Sequence, residues 1–133
     1  MATIIKHADF VESIAAALQY ISYYHPADYI AHLARAYERE QSAAAKDAIA
    51  QILTNSRMCA EGHRPICQDT GIVVVFLKVG MDVRWDATMS LQEMVDEGVR
   101  RAYLEPTNVL RASIVADPAF SRKNTRDNTP AVV

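Results

Sequence analysis

The chain has few cysteines, no long hydrophobic run and no excess of charge of one sign. Two cysteines in 133 residues, Cys59 and Cys67, do not make the disulfide framework of a small secreted domain. No segment reaches the roughly 18–20 apolar residues that a membrane-spanning helix needs. The N-terminus also lacks the basic region, apolar run and cleavage site of a secretory signal. These absences predict a cytoplasmic protein that contacts no membrane.

The charge balance and the size of the chain narrow the class further. Fourteen basic and sixteen acidic side chains give a formal net charge of −2. A nucleic-acid-binding domain needs a basic face, so no nucleic-acid partner is expected. Half of the residues are hydrophobic. A chain of this length and composition is expected to build one domain around one core.

A complete zinc site is not encoded in the spacing of the ligating residues. Seven residues separate Cys59 from Cys67, which differs from a Cys-x-x-Cys pair, and the four histidines are scattered. Structural zinc sites need four ligands at characteristic short spacings. Any metal held by this chain would therefore need ligands from elsewhere.

Helical periodicity dominates the first sixty residues and predicts three helices. Asp9 is the expected N-cap of the first helix, and Pro26 is expected to open the second. The third should follow Ser42 and end by Gly62, which can adopt the left-handed conformation common after a helix. The three helices are expected to pack as a small antiparallel cluster.

The middle of the chain changes to a strand-like composition. Residues 72–79 are rich in valine and nearly all apolar, which predicts a strand buried on both faces, and residues 82–85 predict a second strand. A long helix is expected from about Ser90 to Leu104, since Ser90 and Glu93 form a capping box. Gly98 on its apolar stripe should permit close helix–sheet packing. The predicted fold class is α/β: a helical N-terminal cluster, then a small mixed β-sheet and a long helix.

The C-terminal 27 residues are rich in turns until the apolar run Ala131-Val132-Val133. Domains usually end in a polar tail. We therefore expect residues 1–133 to be part of a longer protein.

The run from Arg64 to Gly71, Arg-Pro-Ile-Cys-Gln-Asp-Thr-Gly, is the most informative segment. It places a thiol, an amide, a carboxylate and a hydroxyl on four successive residues of an expected loop. Chemistry alone leaves three interpretations of Cys67: a structural thiol, a nucleophile activated by His63, or a ligand of a metal or iron–sulfur cluster.

Residues 67–71, followed by an apolar run, resemble the cluster-binding motif of the class I fumarate hydratases. Further segments are similar to that family in order and spacing, so the resemblance covers essentially the whole chain. These segments are Ala17–Pro26, Leu53–Met58, Gly98–Tyr103, Leu110-Arg111, Asn124-Thr125 and Asn128-x-Pro130-Ala131.

The resemblance implies an enzyme with a [4Fe-4S] cluster held by three cysteines, which interconverts fumarate and L-malate. By the same resemblance, Cys67 is the first cluster ligand, Gln68 hydrogen-bonds the substrate, and Asp69 binds it and assists proton transfer. Arg111 clamps a substrate carboxylate. Cys59 has no place in the motif, and we expect it to be buried and inert. No cysteine follows Cys67. Two further ligands should therefore lie outside this chain, which alone is predicted to be inactive.

The expected partners are a small dicarboxylate and the C-terminal remainder of the enzyme, to which this alpha-subunit-like part contributes. The intact enzyme is expected to be a homodimer. Three alternatives stay open. The chain could belong to a tartrate dehydratase-type hydro-lyase, or be a non-catalytic interaction domain that retains the fold. A thiol-protease-like function through Cys67 and His63 is the third.

Overall fold

The computed structural model describes residues 2–133 and has four helices and four short strands. In chain order these are β1 (Thr3–Lys6), α1 (His7–Tyr23), α2 (Ala27–Arg39), α3 (Ala43–Gly62), β2 (Val83–Asp86), α4 (Leu91–Tyr103), β3 (Val115–Ala116) and β4 (Lys123–Asn124). The α/β class is confirmed. The chain forms two compact units, one of Tyr20–Ile66 and the other of residues 2–19 with Cys67–Val133. Within residues 2–133, none of the helices has the length and apolarity needed to cross a bilayer.

The unit Tyr20–Ile66 is built from α2 and α3, which pack against each other. The helix α3 follows Ser42 as predicted, and the Ser42 side chain caps it by accepting a hydrogen bond from the N–H of Ala45. The helix α3 ends at Gly62 as predicted, but the left-handed residue after it is His63 (φ 47°, ψ 52°), so the left-handed conformation expected for Gly62 was wrong. Most of α1 belongs to the other unit, which differs from the expected three-helix cluster.

Two other helix starts differ slightly from the predictions. The first helix begins at His7, so Asp9 lies inside its first turn instead of capping it. Pro26, the expected first helical residue, is instead the N-cap of α2, one position before Ala27. The fixed φ of proline suits either position, and the sequence signal does not separate them.

In the second unit, α4 supplies half of the core cluster. Its helix starts at the predicted capping box: the Ser90 side chain accepts from the N–H of Glu93, and the Glu93 carboxylate accepts from the N–H of Ser90. The core cluster consists of Ala15, Val73, Val95, Val99, Ala102, Tyr103, Leu110 and Ala131. The predicted long helix is therefore confirmed as the element on which this unit is organised.

Gly98 permits a close approach between two helices, α4 and α1. A Cβ atom at residue 98 would lie 2.6 Å from Ile14 Cβ and 2.9 Å from the Val11 carbonyl oxygen. Its predicted role in close packing is correct, but the partner is a helix and not a sheet. Gln19, further along α1, donates to the carbonyl of Ala102 at 2.6 Å and so fixes α1 to α4 again.

The strands form two separate pairs. β1 and β2 are parallel, with Ile5 opposite Trp85, and the ring of Phe10 meets Trp85 edge-on at 5.2 Å. β3 and β4 are antiparallel, with Val115 opposite Asn124. The strand predicted at residues 82–85 is thus present, but its partner is the N-terminal segment, which local composition did not identify as a strand.

The prediction of a buried strand at residues 72–79 was wrong. The segment makes only an isolated parallel bridge, in which the carbonyl of Val73 and the N–H of Val75 pair with Val132. Val73 is buried (7% exposed), whereas Val74 is 50% and Phe76 92% exposed. Valine-rich composition favours an extended backbone, but a strand also needs partners along its length, and Val132 provides one residue of pairing.

Candidate functional site

Residues Cys67–Gly71 of the run predicted to carry chemistry form a loop in the second unit. Cys67, Gln68 and Asp69 are all exposed, and none belongs to a helix or strand. The Cys67 thiol donates a hydrogen bond to the carbonyl oxygen of Asp69, with a sulfur–oxygen distance of 3.3 Å. This contact turns the loop back on itself and leaves thiol, amide and carboxylate accessible from outside.

The end of this loop contacts the segment that carries Arg111. The Thr70 hydroxyl donates to the Arg111 carbonyl, and the Ser113 hydroxyl donates to the Thr70 carbonyl. The two hydroxyl oxygens lie 2.8 Å apart. The residues predicted to bind substrate, separated by about forty positions, are therefore carried by two contacting segments, and the Arg111 side chain is exposed. Thr70, expected only to shape the turn, makes the connection.

Sequence analysis missed Asn128, which lies beneath this contact and is fully buried. Its side-chain oxygen accepts from the N–H of Ser113 at 2.7 Å and from that of Ile114 at 3.2 Å. Its side-chain nitrogen donates to the Gly71 carbonyl at 3.1 Å. Its backbone is left-handed (φ 60°), a conformation that asparagine tolerates better than most residues. The Asn-x-Pro-Ala landmark marked the position, but nothing local revealed its partners.

Ionic contacts join the segment that carries Asn128 to α4. Arg100 lies 3.2 Å from an Asp127 oxygen and 2.7 Å from a Glu97 oxygen. Burial alone would raise the pKa of Asp127, but hydrogen bonds from Thr129 and Arg100 outweigh it and hold that pKa below its usual value. The hydrogen bond from Arg101 likewise lowers the pKa of Glu97.

Cys59 and His63, the residue considered above as an activating base for Cys67, lie in the unit Tyr20–Ile66. Cys59 is buried, as predicted, and its thiol points to Asn55 Oδ1 at 3.7 Å and the Pro65 carbonyl at 3.6 Å. The His63 ring stacks on Tyr23 with centroids 4.7 Å apart, and its Nε2 lies 3.2 Å from the Tyr24 hydroxyl oxygen. The partners named for Cys59 and His63 therefore all lie within the unit Tyr20–Ile66.

The donors in the described part of the chain do not suffice for a metal centre. Residues 2–133 contain no group of three or more histidine, cysteine, aspartate or glutamate side chains placed to hold a metal ion. At the loop the only thiol is Cys67, which is exposed. Thiolate is the usual protein ligand of iron–sulfur clusters. The loop therefore offers one thiol, which is fewer than the thiolates that an iron–sulfur cluster needs.

Fold and site together define a mixed α/β module that presents a polar thiol-containing loop beside an arginine-bearing segment. A family model described as fumarate hydratase (Fumerase) matches residues 11–133. The chain therefore belongs to the fumarate hydratase family, and the resemblance seen in the sequence is confirmed.

Two curated relatives are similar to this chain over part of their own length. The chain is 34% identical over 105 residues to a Methanocaldococcus jannaschii protein described as "Putative L(+)-tartrate dehydratase subunit alpha". The match covers 79% of this chain and 35% of that protein. It is 34% identical over 83 residues to "Fumarate hydratase class I, anaerobic" of Escherichia coli, covering 62% of this chain and 15% of the relative. The chain thus spans about a third or less of each.

Proposed function

We propose that this chain is the N-terminal, alpha-subunit-like part of an iron–sulfur hydro-lyase that interconverts fumarate and L-malate. The contact between the Cys67–Gly71 loop and the segment of Arg111 carries the proposal, because Thr70 bonds the Arg111 carbonyl and Ser113 and so joins the segments on which the proposed site residues lie. Family membership supports it independently. The remainder of the enzyme would supply the groups that are missing.

In this proposal the exposed side chains have distinct roles. Arg111 binds one substrate carboxylate through its planar guanidinium, which matches a carboxylate in a bidentate manner. The Gln68 amide donates to a substrate oxygen and fixes its orientation. Hydration adds hydroxide to one carbon of the double bond and a proton to the other, and Asp69 moves that proton.

Cys67 would be one of three cysteine ligands of a [4Fe-4S] cluster, with the other two outside this chain. When bound, such a cluster supplies a Lewis-acidic iron with an open coordination position. A ligand at an exposed loop, and not in the core, is consistent with a centre completed by another part of the protein. Since one thiolate cannot retain a cluster, we expect the 133-residue chain alone to be inactive.

Tartrate is the second candidate substrate. It is favoured by the Methanocaldococcus relative, which matches a larger share of this chain than the Escherichia coli hydratase does. Tartrate and malate differ by one hydroxyl group, and the same Arg111 clamp would suit either dicarboxylate. The groups that contact this second hydroxyl would decide between them.

The proposal is tested by anaerobic reconstitution with iron and sulfide. The chain would be prepared alone and together with the polypeptide that carries the other two cysteines. We expect iron retention, cluster absorbance and hydration of fumarate only in the second preparation. Cys67→Ser should abolish all three there, because serine is a poor ligand for iron in such clusters.

Cys59→Ser is the matched control, since it removes the other thiol and should leave cluster content unchanged. Assays with fumarate, malate and tartrate in parallel would select the substrate. Hydration of fumarate by the chain alone at an enzymatic rate would contradict the division of ligands. Full cluster content in the Cys67→Ser protein would contradict the role of Cys67.

A further inference from the structure

The Asn128 side chain is fully buried and hydrogen-bonds both segments that carry the proposed substrate-binding residues. We propose that it is a positioning residue, which sets the distance between the Cys67–Gly71 loop and the Arg111–Ile114 segment. This inference rests on the proposed function for its catalytic meaning. The structural coupling itself can be tested without any activity.

Both the oxygen and the nitrogen of the Asn128 side chain are hydrogen-bonded. Its amide accepts two backbone N–H groups from Ser113 and Ile114 and donates to the Gly71 carbonyl. The side chain is fully buried, so water cannot replace a bond that is lost. Removing one partner of a buried hydrogen bond leaves the other unsatisfied, which costs more than the bond contributes.

Thr70 makes a second set of hydrogen bonds between the same two segments. The bonds between Thr70 and Ser113 are exposed, and water competes for their hydroxyl groups. These exposed bonds connect the two segments but restrain the distance between them less than buried bonds do. The buried amide of Asn128 joins the same two segments where no alternative partner is available. It is therefore the stronger determinant of their separation.

Residues that are close to Asn128 in the sequence also bond to α4. Asp127 binds Arg100 of α4, and the N–H of Ala131 donates to an Asp96 oxygen at 2.8 Å. Gln92 donates to the carbonyl of Ala131 at 3.0 Å. Residues 127–131 are thus attached to α4 on both sides of Asn128. The amide is therefore held beside the helix that supplies half of the core cluster.

A positioning residue of this kind determines substrate selection through geometry. Arg111 and Gln68 would bind opposite ends of a dicarboxylate, and the separation of their segments would set the length that fits. A displacement of about 1 Å in such a site costs roughly a hundredfold in rate. Asn128 would therefore influence which length of dicarboxylate fits, although it touches none of them.

Two substitutions separate the two arms of this contact. Asn128→Asp retains an acceptor for Ser113 and Ile114 but places a second oxygen against the Gly71 carbonyl. Asn128→Gly suits the left-handed backbone and removes all three bonds. Asn124→Asp is the matched control, because the Asn124 amide donates to the Ala112 carbonyl at 2.7 Å without reaching the Cys67–Gly71 loop.

The experiment measures backbone amide shifts, amide hydrogen exchange and Cys67 alkylation in the 133-residue chain. Asn128→Asp should change the shifts of residues 68–71 and the alkylation rate of Cys67 while Ser113 and Ile114 stay protected. Asn128→Gly should also accelerate exchange at Ser113 and Ile114 by about tenfold or more. Asn124→Asp should leave the loop unchanged. Exchange of the Val95 and Val99 amides reports any general loosening of α4.

The proposal is overturned if both Asn128 variants leave the loop shifts and the Cys67 rate unchanged, or if all amides of the unit loosen together. Either result would give Asn128 a role in general stability only. A separate titration with succinate, glutarate and malonate, in the reconstituted preparation that includes the polypeptide with the other two cysteines, tests the proposed function. If the wild-type loop responds to none of them while the Asn128 effects are present, the dicarboxylate site fails and the coupling stands.

Discussion

Gly98→Ala should destabilise the unit that contains α4, although alanine is the better helix former. Intrinsic propensity favours alanine over glycine by about 1 kcal/mol. The added Cβ, however, would lie 2.6 and 2.7 Å from two Ile14 carbons and 2.9 Å from the Val11 carbonyl oxygen. Such overpacking costs about 1–3 kcal/mol, and the contact with a backbone atom places this site at the upper end. The net expected loss is about 2 kcal/mol.

The loss should appear as a fall of about 10 °C in the unfolding midpoint. Trp85, the only tryptophan, packs against Phe10 in the same unit, so its fluorescence reports this transition. Gly80→Ala is the matched control, because a Cβ there meets nothing within 4 Å. Adding Ile14→Ala to the Gly98→Ala protein should recover part of the loss. A Gly98→Ala protein as stable as wild type would refute the close approach of α1 and α4.

Three further predictions concern stability and reactivity. Asp127 has a lowered pKa in the folded state, so its contribution is present above its ordinary pKa of 3.8 and is lost as the pH falls below it; acid unfolding of the Asp127→Asn protein should be less steep in that range than in wild type. Ser90→Ala should cost about 1 kcal/mol by removing the α4 cap, seen in urea unfolding, whereas Ser90→Thr should retain most of the stability. Iodoacetamide should alkylate Cys67 in the native chain and Cys59 only under denaturing conditions, as peptide mass analysis would show; rapid native alkylation of both would contradict the burial of Cys59.

Signals confined to a few neighbouring residues predicted the structure well. The Ser90–Glu93 capping box depends on atoms within one turn and forms as predicted, and α3 starts directly after Ser42 as predicted. The left-handed end of α3 falls one residue later than expected. Glycine is favoured there only statistically, and the stacking of His63 on Tyr23 offers a reason for the shift.

Signals that depend on distant partners were harder to interpret. Residues 72–79 have the composition of a buried strand, but composition does not reveal whether neighbouring strands exist. The pairing of β1 with β2 joins positions eighty residues apart, and nothing in Thr3–Lys6 announces it. Cys67 and Arg111 were connected through resemblance to a family. The hydrogen bonds of Asn128 depend on the folded chain and could not be inferred from either segment.

The exposed segment 72–79 has a practical consequence for anyone who handles this chain in isolation. It is extended and apolar, with Phe76 exposed and one bridge to Val132. Unpaired edges of this kind recruit further strands, and five- to seven-residue apolar windows rich in valine are typical starting points of fibrils. Lys78 supplies the only charge in the segment. Concentrated samples should therefore aggregate first through residues 72–79. A charged residue in place of Phe76 should delay this aggregation at little cost to folding.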